Sequence, residues 1–230
     1  MKIKTLIFAL LLSNIIFGQN DTSENSNKLL SETTTEVNSL YTPNYPEGIY
    51  TSKKDFISKK PSSFKTVVMK NFNKKVMDSI IHDCYFYYSD NNKKVRNVFA
   101  ISYKGHLYFQ IKAILKNRNK TDRAQSTNYH NMFVRTIIGG ENYLYTEAEL
   151  VNQWAMGTAV NFGAIGGAIA SDLIKGKGIV WDFKNKEFNI FKSCKDYNKF
   201  IEDKLPEAIQ ECKKHQPDIL EVRKAIEKIK

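Results

Sequence analysis

Three strand-like runs separated by turn clusters restrict the middle of this chain to antiparallel sheet. Residues 80–88 lead into Ser89-Asp90-Asn91-Asn92, residues 95–103 lead back out, and Lys104-Gly105 turns the chain into residues 106–115. Successive side chains on a strand point to opposite faces, so the last run puts Leu107, Phe109 and Ile111 on one side and Tyr108, Gln110 and Lys112 on the other. Asn, Asp and Gly supply the backbone conformations that tight turns need, and alternation with turn chemistry predicts a meander. Residues 64–69 read as a further strand. Residues 132–138 and 143–145 read as a hairpin around Gly139-Gly140-Glu141. Residues 179–183 and 187–191 form a last hairpin around Lys184-Asn185-Lys186.

Helix signals lie at both ends of this set. Thr51 or Ser52 caps a short helix with Asp55 in its first turn, and Pro61 ends it. Thr146 with Glu149 reads as a capping box opening a longer helix. Ser193 with Asp196 resembles another N-cap, and Pro206 and Pro217 each fit the first turn of a further helix. The last of these carries Ile219, Val222, Ile226 and Ile229 on one stripe. The fold class is α+β: antiparallel hairpins packed against a glycine-rich helix and a C-terminal helical segment.

Residues 1–18 read as a signal peptide. Lys2 and Lys4 precede an uncharged, mostly apolar run that ends at the small residue Gly18. The run is too short to cross a hydrocarbon core roughly 30 Å thick. Residues 19–45, rich in Ser, Thr, Asn and Glu, are expected to form a flexible leader. Order begins near Pro46-Glu47-Gly48, and residues 46–230 make a single α+β domain. Hydrophobic residues make up 42% of the chain, enough for a core, which excludes a wholly disordered chain. Formal net charge is +11, and the leader holds Asp21, Glu24, Glu32 and Glu36 against Lys28, so the body is more basic still. A basic exported body suggests anionic neighbours. No nucleic-acid module is recognisable, and nucleic acid is not expected as a partner. Among Cys84, Cys194 and Cys212, the last two are the natural disulfide in an oxidising compartment, leaving Cys84 as a buried thiol.

Three segments are candidates for function. From Leu150 to Ser171 no residue is charged, and Ala155, Ala159, Gly163, Gly167 and Ser171 recur every fourth position, one face of a helix. Small residues at this spacing let backbones approach closely. The face serves internal packing, membrane insertion or self-association, or a ligand. The run lacks both G-x-G-x-x-G and the P-loop lysine spacing, so a nucleotide site is not indicated. The second segment is the polar loop 116–131, whose cations Lys112, Lys116, Arg118, Lys120 and Arg123 sit on or beside it and suit an anionic partner. The third is Cys84 with the histidines, of which His82 shares its face on a strand. A Cys/His nucleophile also needs an oriented third group, and a zinc site needs three or four compact ligands; no spacing recommends either. No metal and no cofactor is expected. Tyr85, Tyr87, Tyr103 and Tyr108 suit sugar stacking only if they face solvent.

Tyr45-Pro46-Glu47-Gly48-Ile49-Tyr50, Asp55-Phe56, Lys60-Pro61, Lys104-Gly105-His106-Leu107-Tyr108-Phe109 and Gly178-Ile179-Val180-Trp181-Asp182-Phe183 together resemble an uncharacterised family of exported proteins from Bacteroidetes-type bacteria. The signal ending Phe17-Gly18-Gln19 is similar to that group's cleavage region. The resemblance covers roughly residues 45–230; it implies export and one domain, with no activity or site residue to carry over. The leading expectation is a non-enzymatic binding or interaction module of the cell envelope, periplasmic, outer-membrane-associated or secreted, meeting an anionic envelope surface or a protein partner. The alternatives are a membrane-associated protein using residues 150–171 and a periplasmic hydrolase using Cys84 or a histidine.

Overall fold

The structure is a computed structural model that describes residues 41–122, 125–152 and 176–230. Residues 1–18, read as a signal peptide, most of the expected leader, Arg123 and the expected small-residue face Ala155, Ala159, Gly163, Gly167 and Ser171 lie outside the described residues.

All strand pairs are antiparallel, in α+β architecture. A six-stranded sheet contains β1 (Gly48–Tyr50), β2 (Val67–Lys70), β3 (Asp83–Tyr88), β4 (Ala100–Tyr103), β5 (His106–Gln110) and β7 (Phe133–Arg135), in the order β1-β4-β5-β7-β3-β2. The turn at Lys104-Gly105 makes the β4–β5 hairpin, with Ala100 opposite Phe109 and Tyr103 opposite His106. The meander does not extend to β3. Its neighbours are β2 and β7, because β7 pairs with both β5 and β3 and so separates β3 from the hairpin. Turn chemistry specifies where a chain reverses, and long-range pairing decides which strand lies alongside.

The second sheet has the order β12-β11-β9-β8, from β8 (Ile138–Gly139), β9 (Tyr143–Glu149), β11 (Gly176–Asp182) and β12 (Glu187–Ile190). Thr146 and Glu149 therefore belong to a strand and do not cap a helix. β9 pairs along its whole length with β11, from Tyr143 opposite Asp182 to Glu149 opposite Gly176. These seven pairings outweigh a local capping signal that involves two side chains. A short pair joins β6 (Gln125–Ser126) to β10 (Val151–Asn152).

The two sheets share an aromatic core. Phe56, fully buried, stacks on Tyr45 (ring centroids 4.8 Å apart) and meets Phe109 and Trp181 edge-on at 5.2 and 5.7 Å. Edge-to-face and offset rings add stabilisation beyond area burial. Tyr45 belongs to this packing and Tyr41 packs against it, both upstream of the turn at Pro46. Gly48 begins β1 at φ +143°, where a Cβ would lie 2.8 Å from Pro61 Cβ; glycine alone suits that backbone and that close approach. The other face of the larger sheet closes around Phe86, which meets Tyr103, Tyr108 and Phe133, each at 5.2 Å. Cys84 is buried there.

On the outer side of the smaller sheet pack α3 (Cys194–Ile201) and α4 (Ile219–Ile229). Ser193 caps α3 as its sequence suggests, accepting from Asp196 N. Asp218 caps α4, which leaves Pro217 just before the cap and outside the first turn. Cys194 and Cys212 are bridged across a separation of 18 residues. A loop of that size stabilises by about 3 kcal/mol in the chain-entropy account. Arg223 on α4 grips Glu147 on β9 with two hydrogen bonds of 2.7 and 2.8 Å, and Tyr145 Oη donates to the same carboxylate at 2.8 Å. Among the described residues no helix is long and apolar enough to cross a membrane.

Candidate anion-binding groove

The run expected as strand over 106–115 stops at Gln110. From there Ile111–Lys116 form α2, which buries Ile111, Ala113, Ile114 and Leu115. The reason is visible in the residue order. Ile111, Ile114 and Leu115 share a face at helical spacing, Ala113 has the highest helix propensity, and Lys112 and Lys116 are left one turn apart on the exposed side. Like charges at that spacing cost a few tenths of a kcal/mol.

Those two lysines border a groove of about 390 Å³ between α1 (Lys53–Ile57), the turn at Asn97 and α2. Capping fixes its first wall. Ser52 Oγ accepts from Asp55 N at 3.1 Å, while Asp55 Oδ2 accepts from Ser52 N at 3.0 Å. Hydrogen bonds from Ser52 and then Ser62 hold the Asp55 carboxyl below the usual carboxylate range. Asn97 adopts φ +57°, a conformation Asn tolerates better than most residues, and its Oδ1 accepts from Lys112 Nζ at 2.7 Å. Lys53 Nζ donates to the carbonyl of Lys186 at 3.2 Å. Lys53, Lys112 and Lys116 thus all line one concavity, which no Asp or Glu lines among the described residues.

Gln110 also lines the groove and is completely buried. Its Oε1 accepts from Val98 N at 3.2 Å, but its Nε2 has no hydrogen-bond partner among the described residues. An unpaired buried amide is costly, so this group is the first place to look for a ligand. Val98, Phe99 and Ala113 supply an apolar surface beside it. A few convergent polar groups over an apolar floor are the usual make-up of a small-molecule site, and 390 Å³ is within the ordinary range.

The remaining cations of the polar segment are dispersed. Arg118 turns inward, donating to the carbonyls of Leu115 and, at 2.8 Å, of Asp122. Lys120 stands in solvent on a short 3-10 turn, Lys120–Asp122. The segment itself is strapped to β12: Asn119 N donates to Phe188 O, and buried Asp122 accepts from Ile190 N at 3.1 Å and pairs with Lys192 at 3.0 Å. Burial pushes the Asp122 carboxyl above its ordinary range, against the opposing pull of those two partners. The sequence reading found Lys112 and Lys116 but missed Lys53, Asn97 and Gln110. The available signal was Gln110, an amide inside an apolar alternating run.

Other candidates fare less well. The Cys84 thiol lies in the interior, where burial pushes its pKa far above that of a free thiol, and a thiol held protonated is a poor nucleophile. His82 Nε2 donates to the carbonyl of Glu147 at 2.9 Å. Tyr85, Tyr87, Tyr103 and Tyr108 are all buried, so none offers an open ring to a sugar. Among the described residues no group of three His, Cys, Asp or Glu side chains is arranged to hold a metal. A larger hollow of about 560 Å³ beside the disulfide is lined by both signs, and its Lys213 and Glu211 pair at 2.6 Å, so it has no preference for either charge.

A family model described as a family of unknown function (DUF6563) matches residues 48–196, a span that includes the groove and both sheets. No curated protein and no solved structure matches the chain.

Proposed function

The chain belongs to the family of unknown function DUF6563, and we propose that it is an exported, non-enzymatic binding module of the bacterial cell envelope whose ligand is anionic. The observation that carries this reading is the groove beside α2, which Lys53, Lys112 and Lys116 all line and where, among the described residues, Gln110 Nε2 has no partner. Ammonium groups supply attraction without a fixed direction, and the amide of Gln110 supplies direction. Export is supported by the Cys194–Cys212 bridge, since disulfides persist in oxidising compartments, and by the signal-like residues 1–18. A source among Bacteroidetes-type bacteria rests on the resemblance given above. A binding role is favoured over hydrolysis because the one free thiol is buried and held protonated.

The test is isothermal titration of the full chain with inorganic phosphate and with a uronic-acid oligosaccharide, at low and moderate salt. The expected result is binding of one of these probes that weakens as salt rises and falls by about tenfold or more in Lys112→Gln/Lys116→Gln. Wild-type protein that binds neither probe, or a double variant that binds as well as wild type, refutes the assignment to this groove.

A further inference from the structure

A second surface, carried by the segment between β2 and β4, joins exposed apolar side chains to cations that have no carboxylate partner among the described residues. Between β2 and β3 the chain makes a small rigid hairpin. Asn71 N donates to Lys75 O at 2.9 Å, Lys75 N donates to Asn71 Oδ1 at 3.0 Å, and Met77 N donates to Met69 O at 3.0 Å. At its tip Phe72 is 62% exposed and Val76 59% exposed. Phe72 meets Tyr129 edge-on at 5.3 Å and Tyr85 at a tilt at 6.3 Å. Lys74 takes φ +62° between them, a conformation that costs a lysine about 1 kcal/mol or more and a glycine nothing. A cation is therefore held at the tip against a local preference.

Behind the tip, ammonium groups cover the aromatic face of the sheet. Lys94 Nζ lies 3.8 Å from the Tyr85 ring centroid and Lys70 Nζ 4.6 Å from that of Tyr87. Burial lowers the Lys94 ammonium, and the charges of Arg96 and Lys74 lower it further, so all three cations share one field. None of Lys70, Lys74, Lys94 and Arg96 forms an ion pair with a carboxylate among the described residues.

We propose that this face docks the protein on an anionic lipid surface, with Phe72 and Val76 entering the interfacial layer and Lys70, Lys74, Lys94 and Arg96 meeting the headgroups. An acidic glycan fits less well. Stacking on sugar needs open ring faces, and those of Tyr85 and Tyr87 are occupied by lysine, while the groups that protrude are apolar and convex. A protruding aromatic beside several cations is the combination that binds an interface by apolar burial plus electrostatic attraction.

The test is co-sedimentation of the full chain with phosphatidylcholine vesicles, with or without phosphatidylglycerol. Wild type is expected to pellet with the anionic vesicles and to stay in solution with the neutral ones. Phe72→Ala, at an exposed site, should weaken binding about tenfold and leave the melting curve unchanged. Lys74→Gln and Arg96→Gln should each weaken it by roughly fivefold. Lys112→Gln/Lys116→Gln should pellet like wild type, which separates this surface from the groove. The proposal is overturned if wild type ignores anionic vesicles, or if Phe72→Ala pellets equally well. It is also overturned if heparin retains wild type and Phe72→Ala alike while vesicles bind neither, which would make the face a general polyanion surface.

Discussion

Lys177 offers the sharpest test of how this interior is built. It lies on β11 with its side chain buried, and its Nζ donates to Gln125 Oε1 at 2.8 Å and to the carbonyl of Leu150 at 2.7 Å. Both acceptors are neutral, so little offsets the loss of water around the charge, and burial lowers the pKa from 10.5 to about 8. At about 1.4 kcal/mol for each tenfold change in affinity for the proton, the buried ammonium costs the folded state on the order of 3 kcal/mol. Below pH 8 both states carry the proton and the full penalty applies. Between about 8 and 10.5 the folded amine is neutral while the unfolded one stays charged. The unfolded state then binds more protons, and stability climbs with pH. Above 10.5 neither state is protonated and the penalty is gone.

The assay is urea unfolding of the oxidised protein at a series of pH values, followed by the fluorescence of buried Trp181, for wild type and Lys177→Met. Tyr41, Tyr50 and Tyr197 are pushed up to about 12 by burial. They pull stability down above pH 10, where unfolded tyrosines ionise first. That decline is common to both proteins and cancels in the difference. Wild type should gain roughly 2 to 3 kcal/mol on the variant between pH 8 and 10.5. Parallel curves over that interval would refute the claim that a charged amine is buried at Lys177. The absolute offset at pH 7 is less informative, because methionine also leaves Gln125 and Leu150 without a donor.

Three further outcomes are expected. Glu147→Gln removes the carboxylate charge and one of the two oxygens that Arg223 grips, leaving a single amide oxygen for Arg223 and Tyr145 Oη; it should destabilise by about 1–3 kcal/mol and raise hydrogen exchange in α4 before the sheets. Cys194→Ser/Cys212→Ser should cost about 3 kcal/mol, whereas Cys84 in the folded wild type should resist a thiol reagent until denaturant is added; fast labelling of Cys84 would contradict its burial.

Local signals in the residue order anticipated local structure. The caps at Ser52 and Ser193, the turn at Lys104-Gly105, the hairpin of β11 and β12 and the α4 stripe each depend on side chains within a few positions of one another. The Cys194–Cys212 pair was readable for a related reason, since closing a short loop costs little. Residues 111–116 were misread although their helical spacing is local, whereas the other misread helix gave way to distant chain. Thr146 and Glu149 form a sound capping box in isolation, yet β11 arrives with seven partners and makes the segment a strand.

The candidate groove shows the same division. Lys112 and Lys116 were visible as cations, but only the turn of the chain into α2 at Gln110 places them beside Lys53 and Asn97. Arg118 had the same standing in the sequence and was turned inward to the carbonyls of Leu115 and Asp122. Charge and capping belong to residues and their near neighbours, so sequence alone determined a basic α+β chain with its helix caps and its disulfide. Which cations line the groove, which are consumed by backbone carbonyls and which stand near Phe72 without a carboxylate partner among the described residues was decided by tertiary structure, because pairing over long separations sets which surfaces face each other and which face water.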